Sequence, residues 1–291
     1  MKVAIFDLGS NTTKLLVAEV VDRGSPQVVA EESRACRLTA GGGEEFRFTE
    51  KTIKRTLGVL GELMEIAKEH NVQRTKAVAT EAFRRSENSQ ELIALAQASL
   101  GLPISILTGL EEAGAIAAGL LSDPSIARFD DFHAIDLGGG SMEVIAVNDR
   151  VVSALESLPL GAAVLSARFC PGASFEWSDS LRLEARDYVA SLLGASSSRA
   201  LSRSQECAAL VGSGGSLVFL REILAVEGGV EAEEKRVLEL SKEYLPSVTS
   251  PDSKLSQPTS SQIKDNPPAG ETFAPCGAAA FYDRERFLEL G

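Results

Sequence analysis

The chain has 291 residues, 44% of them hydrophobic, so it can bury a sizeable core and is long enough for about two domains. Its formal net charge of −12 argues against nucleic acid or an anionic membrane as a partner held by bulk positive charge. With only two histidines, His70 and His133, and four dispersed cysteines, Cys36, Cys170, Cys207 and Cys276, a Ser-His-Asp triad, a three-histidine metal centre, a zinc cluster and a disulfide framework are all disfavoured.

Residues 3–6 and 15–18 read as strands, 26–30 as a third, and 49–70 as a helix whose Ile53, Leu57, Leu60, Met64 and Ala67 recur on one face. A strand over 75–80, a helix over 86–99 with Ser86 as N-cap and Gly101 as terminator, a strand over 103–108 and a helix over 110–121 follow. The order βββαβαβα predicts a mixed sheet flanked by helices. The second half opens alike, with strands over 133–137, 142–148 and 151–158, then helices over 159–169 and 178–193. A strand over 208–211 runs into Gly212-Ser213-Gly214-Gly215-Ser216, and helices are expected over 217–224 and 230–245. Residues 246–270 carry five prolines among many polar residues, the composition of a loop or disordered segment, before a short helix over 275–290. No run reaches the roughly 18 uncharged apolar residues of a membrane span, and strand-like sequence stands where a signal peptide would be; a soluble, cytoplasmic protein is expected.

Asp7-Leu8-Gly9-Ser10-Asn11 returns 129 residues on as Asp136-Leu137-Gly138-Gly139-Gly140-Ser141, each copy between two strands. A strand ending in a carboxylate, then small residues free to take positive φ, points several backbone N–H groups at one spot. Such a spot holds phosphate, and the carboxylate beside it can hold a hydrated divalent cation. One Asp-x-Gly turn is more often a plain turn. Two, separated by about one small α/β domain, indicate two similar lobes, taken as 1–122 and 123–291, that share a cleft.

Glu111 and Glu112 open a helix, where acidic residues are favoured by the dipole whether or not they act chemically. Glu143 sits amid Met142, Val144 and Ile145, where a charge is costly without a partner; Mg²⁺ with its waters would be one.

Five separated motifs carry a family resemblance: Asp7-Leu8-Gly9-Ser10-Asn11-Thr12-Thr13-Lys14, Ala79-Thr80-Glu81-Ala82-Phe83-Arg84 through Asn88, Gly109-Leu110-Glu111-Glu112-Ala113, Asp136 through Glu143, and Gly212-Ser213-Gly214-Gly215. Together they resemble the exopolyphosphatase and guanosine-pentaphosphate phosphohydrolase (Ppx/GppA) family of the actin, sugar-kinase and heat-shock-chaperone superfold. The resemblance implies an α/β protein of two ribonuclease-H-like (actin-like ATPase) lobes with mixed sheets flanked by helices and the active-site cleft between them. The implied activity is that of a metal-dependent exopolyphosphatase, releasing terminal phosphate from inorganic polyphosphate with Mg²⁺ or Mn²⁺.

By that resemblance Glu112 activates the attacking water and Glu111 is its neighbour in a catalytic pair. Asp136 and Glu143 hold the metal, with Asp7 facing it. Gly9, Ser10, Asn11, Thr12, Lys14, Thr80, Arg84, Gly138, Gly139, Gly140, Ser141, Gly212, Ser213 and Gly214 bind phosphate. Lys14 stands where many relatives show arginine, keeping the charge and losing the bidentate fork. Relatives follow the Gly-rich turn with helices and a closing strand bearing a Gly-x-Arg signature, which has no counterpart after Leu245, so the second sheet is expected to lack an edge; without the extra C-terminal domains of longer relatives, a short two-lobe form is expected. Short chains are the expected substrate, the acidic composition offering no long basic track, and the lobes are expected to close on it. Guanosine pentaphosphate is the alternative substrate. A sugar-kinase-type phosphotransferase is disfavoured by the Gly-x-Glu-Glu motif, a non-catalytic polyphosphate or nucleotide sensor is a third option, and a homodimer is one possible assembly.

Overall fold

Strand β1 (Lys2–Leu8) is nearly continuously buried, the mark of a central strand covered on both faces. It pairs antiparallel with β2 (Thr12–Glu19), which pairs antiparallel with β3 (Gln27–Ala35). The computed structural model describes residues 1–21, 26–38, 46–170, 178–196 and 209–217. The elements expected beyond residue 217, the Pro-rich stretch, Cys207 and Cys276 lie outside this set, whose residues all belong to one compact unit.

Helix α1 (Glu50–Glu69) is capped by Thr49, whose side chain accepts from the Thr52 N–H. It buries Ile53, Leu60, Leu63 and Ala67 on the first sheet, with Leu57 and Met64 partly buried beside them, as the spacing predicts. β4 (Arg74–Ala79) returns parallel to β1, and β5 (Ile104–Ile106) parallel to β4. The sheet order is β3-β2-β1-β4-β5.

Between β4 and β5 lie a short helix, α2 (Glu81–Arg85), and α3 (Ser89–Leu100). Ser86, expected to cap a single helix, instead ends α2. Asn88 begins α3, and its side chain ties the chain at Phe48 by accepting from Phe48 N at 2.8 Å and donating to Phe48 O at 3.1 Å. Gly101 terminates α3 in the left-handed region at φ 65°, as expected of a residue without a Cβ.

Helix α4 (Gly109–Ser122) follows, then a 3₁₀ turn over Pro124–Ile126 and the second sheet. β6 (Phe132–Leu137), β7 (Met142–Asn148) and β8 (Val151–Leu158) form an antiparallel meander, and β9 (Leu210–Ser213) adds parallel to β6, in the order β8-β7-β6-β9. Both sheets thus carry a three-stranded meander with a parallel strand beside the first, the expected ribonuclease-H-like plan. Helix α4, placed by sequence in the first lobe, packs Ile116, Ala117 and Leu120 against Phe132, Ala134, Ile145 and Val147 of the second sheet. On the other face of that sheet, α5 (Ala162–Phe169) and α6 (Asp179–Ser196) contribute Leu165, Val189 and Leu192 to a core with Val144 and Leu158. No helix among the described residues is long and apolar enough to cross a membrane.

Candidate active site

The two Asp-Gly turns are backbone copies. In the first, Asp7 pairs with Lys14 and Leu8 with Thr13, closed by Gly9 N–H donating to Thr12 O at 3.0 Å. In the second, Asp136 pairs with Glu143 and Leu137 with Met142, closed by Gly138 N–H donating to Ser141 O at 3.1 Å. Each turn has its carbonyls tied from behind. Ser10 O accepts from Leu38 N, and Asn11 O from Cys36 N and Arg37 N. Gly138 O accepts from Ala162 N at 3.1 Å, and Gly139 O from Ala163 N at 2.8 Å, both at the start of α5. Because C=O and N–H of one trans peptide point opposite ways, this turns the N–H groups of Asn11 and Gly140 away from those tethers.

The turns meet tip to tip. A Cβ on Gly139 would lie 3.5 Å from Ser10 Cβ and 3.6 Å from Asn11 Cβ, and one on Gly140 would overlap Ser10 Oγ and stand 3.0 Å from Glu81 Cβ. Glycine at 140 thus leaves room for Ser10 and Glu81 at the close approach. Ser10 Oγ is buried without a hydrogen-bond partner among the described residues.

Four carboxylates gather around these turns. Burial raises the Asp7 carboxyl to about 6, with Lys14 pulling it down and Asp136 pushing it up. Burial also raises Asp136, against the Ser213 hydrogen bond and the Lys14 charge. Glu143 is 1% exposed and is pushed up to about 8 by burial and by the Glu112 charge, with hydroxyl donors from Ser157 and Ser141 opposing. Glu112 rises to about 7 because burial outweighs its pairing with Arg84, and Asp7 and Asp136 add to the rise. The carboxylates of Asp7, Glu112, Asp136 and Glu143 therefore feel one another electrostatically.

Arg84 on α2 bridges the set. Its Nη1 donates to Glu112 Oε2 and to Leu107 O, both at 2.8 Å, and its Nε donates to Glu81 Oε2 at 2.8 Å. Its Nη2 stands 2.7 Å from the same Glu81 oxygen without a directed hydrogen bond. Burial works against the guanidinium charge, but Glu112 and Glu81 more than offset it and hold its pKa above the ordinary value. Thr80, also buried, sits at the junction of β4 and α2 beside the end of β1, its N–H on Leu8 O.

The Gly-rich turn closes the site from β9. Ser213 pairs with Asp136 and donates to its Oδ2 at 2.6 Å. Gly214 takes φ +90°, and a Cβ there would lie 2.6 Å from Leu137 O and 2.8 Å from Asp136 Oδ1. Gly212 precedes them within β9.

Glu111, expected in the catalytic pair, is exposed and takes part in the cap of α4. Its Oε2 accepts from Thr108 N at 2.7 Å while Thr108 Oγ1 accepts from Glu111 N at 3.2 Å, and these bonds depress its pKa. The Thr108-x-x-Glu111 pattern was the available sequence signal for that role. Two further residues take part: Glu81, which orients Arg84, and Ser157 on β8, which donates to Glu143 Oε1 at 2.8 Å. Glu81 lies inside the Ala79–Asn88 motif, whereas Ser157 has no local sequence signal.

The family model for the Ppx/GppA phosphatase family matches residues 16–270. Exopolyphosphatase 2 of Mycobacterium tuberculosis is 34% identical over 175 residues, 57% of this chain and 54% of that protein. Exopolyphosphatase 1 of Mycobacterium leprae is 26% identical over 176 residues, 59% of this chain and 50% of that protein. The chain spans about half the length of these curated relatives. Among solved structures, an exopolyphosphatase from Cytophaga hutchinsonii aligns with a TM-score of 0.71 at 25% identity, covering 78% of this chain and 71% of that one. The PPX-GPPA enzyme of Aquifex aeolicus aligns with a TM-score of 0.60 at 27% identity, with coverage of 78% and 71%.

Proposed function

Because the chain belongs to the Ppx/GppA phosphatase family, we propose that it hydrolyses phosphoanhydrides, removing the terminal phosphate of inorganic polyphosphate. The observation that carries this reading is Glu112: a half-buried carboxylate with a pKa raised to about 7, sensing the charges of Asp7 and Asp136 and held by Arg84. A general base works best with a pKa close to the working pH.

The carboxylates fit a hard divalent cation. Asp136 and Glu143 offer oxygen donors, and the nearly fully buried Glu143 has only hydroxyls for donors among its described partners. Among the described residues no three His, Cys, Asp or Glu side chains converge as a closed metal site. Mg²⁺ or Mn²⁺ would be held there by one or two carboxylates, waters and substrate phosphates. When bound, the cation would neutralise charge on the phosphate oxygens. Asp7, opposite Lys14 on the other hairpin, is assigned the facing position.

The remaining steps fall to the chain's own side chains. The backbone N–H groups of the two turns, the buried Ser10 hydroxyl and Lys14 bind the phosphates. Arg84 exchanges its bond to Glu112 for a phosphate oxygen while Glu81 keeps hold of Nε, so phosphate binding itself frees the base. Glu112 then takes a proton from water as it attacks phosphorus in line, and the bridging oxygen leaves with the bonding electrons on the shortened chain. Short chains are favoured because a net charge of −12 gives a long polyanion no general attraction.

Phosphate release with Mg²⁺ from short polyphosphate, long polyphosphate, guanosine pentaphosphate and ATP tests this reading. Fastest release per chain end from short polyphosphate, abolished by EDTA, is expected. Faster release from guanosine pentaphosphate would move the assignment to that substrate, and binding without release from any of the four would make the protein a sensor.

A further inference from the structure

We infer that Ser157 is a positioning residue that fixes Glu143 and the start of the Glu112 helix relative to each other; this rests on reading Glu143 as a cation ligand. The β7–β8 register sets Ser157 directly opposite Glu143, and the Ser157 hydroxyl donates to Glu143 Oε1 at 2.8 Å across the strands. The same side chain is the surface on which α4 begins. A Cβ on Gly109 would stand 2.6 Å from Ser157 Cβ and 2.7 Å from Ser157 Oγ, and Gly109 is the first residue of the helix that presents Glu112.

Position 157 therefore has two requirements. The side chain must be small enough for α4 to rest on β8, and it must donate a hydrogen bond to a buried carboxylate. Serine meets both; alanine meets only the first. Holding one carboxylate oxygen, beside the second hydroxyl donor Ser141, orients Glu143 while lone pairs remain for a cation, the usual work of a residue behind a metal ligand. Glu143 and Glu112 sense each other's charge, so a shift of either changes the setting of both.

The test is Mn²⁺ binding to the metal-free full chain, followed by the paramagnetic resonance of free Mn²⁺, with melting in EDTA recorded in parallel. Ser157→Ala should weaken Mn²⁺ binding about 10- to 100-fold, the usual cost of losing such a residue, while melting close to the parent. Ser153→Ala is the control: its hydroxyl donates to Ala146 O at 3.1 Å on the same strand pair, and its Mn²⁺ affinity should not change. A folded Ser157→Ala protein that binds Mn²⁺ as tightly as the parent overturns the inference. If the alanine variant does not fold, Ser157→Cys, of similar size but a weak donor, should bind Mn²⁺ measurably less tightly, and parent-like affinity there overturns it equally. Failure of the parent to bind Mn²⁺ would remove the cation reading itself and this inference with it.

Discussion

The two hairpins share backbone, register and turn hydrogen bond, yet differ where it matters chemically. Opposite Asp7 stands Lys14; at the equivalent place opposite Asp136 stands Glu143. The first copy carries its own counter-charge, and the Lys14 ammonium eases the burial of both Asp7 and Asp136. The second copy sets two carboxylates opposite each other, the Glu143 one buried, with hydroxyl donors and no cationic side chain of its own, which is why the proposed cation is placed there. On the proposed reading, one duplicated scaffold yields a phosphate-facing turn and a cation-facing turn through a single exchange of sign.

The largest effect should come from erasing that difference. Glu143→Lys would give the second hairpin the first one's charge, and Mg²⁺-dependent phosphate release should fall about 1000-fold, the scale of losing a central electrostatic element. Activity within a few-fold of the parent would mean that the second hairpin is not the cation side.

A smaller effect is expected from Lys14→Gln, which leaves both hairpins without a cation of their own. KM for short polyphosphate should rise about 10-fold, equivalent to losing one charge-assisted phosphate contact, and Lys14→Arg should restore it. An unchanged KM for the glutamine variant would take Lys14 out of the phosphate site.

The finest distinction is in stability without metal. Burial raises Glu143 from 4.5 to about 8, so the folded state prefers the protonated form. The associated stability is fully present below about pH 4.5 and is lost as pH rises towards 8. In EDTA the parent should therefore melt progressively lower relative to Glu143→Gln between pH 5 and 8, and Mg²⁺ should close the gap. A difference in melting temperature that does not move with pH would refute this.

Much of this arrangement was legible in the sequence because it repeats. Two Asp-Gly turns at a fixed separation disclose two meanders, and α1 and Gly101 follow from helical spacing and from a residue suited to positive φ. What escaped is short or non-local. Helix α2 has five residues, too few for a period to show. The second half of β3, through Glu31, Glu32 and Arg34, reads as polar because it lies on an edge strand with a solvated face. β9 was expected two residues early, and only its pairing with β6 brings Ser213 onto Asp136. Adjacent helical residues point about 100° apart, so Glu111 and Glu112 face different ways, and Glu111 is taken up by the capping box. Ser157 finds Glu143 only through strand register, which no local pattern encodes.

If Glu112, which senses the charges of Asp7 and Asp136, draws the proton from the attacking water as proposed, its carboxylate is needed for turnover and not for binding. Phosphate release from short polyphosphate by Glu112→Gln, measured with Mg²⁺ beside the parent and with polyphosphate binding checked on both, tests it most directly. A fall of about 100- to 10,000-fold is expected, the range for loss of a general base, with binding retained. Turnover by the glutamine variant at the parent's rate would contradict it.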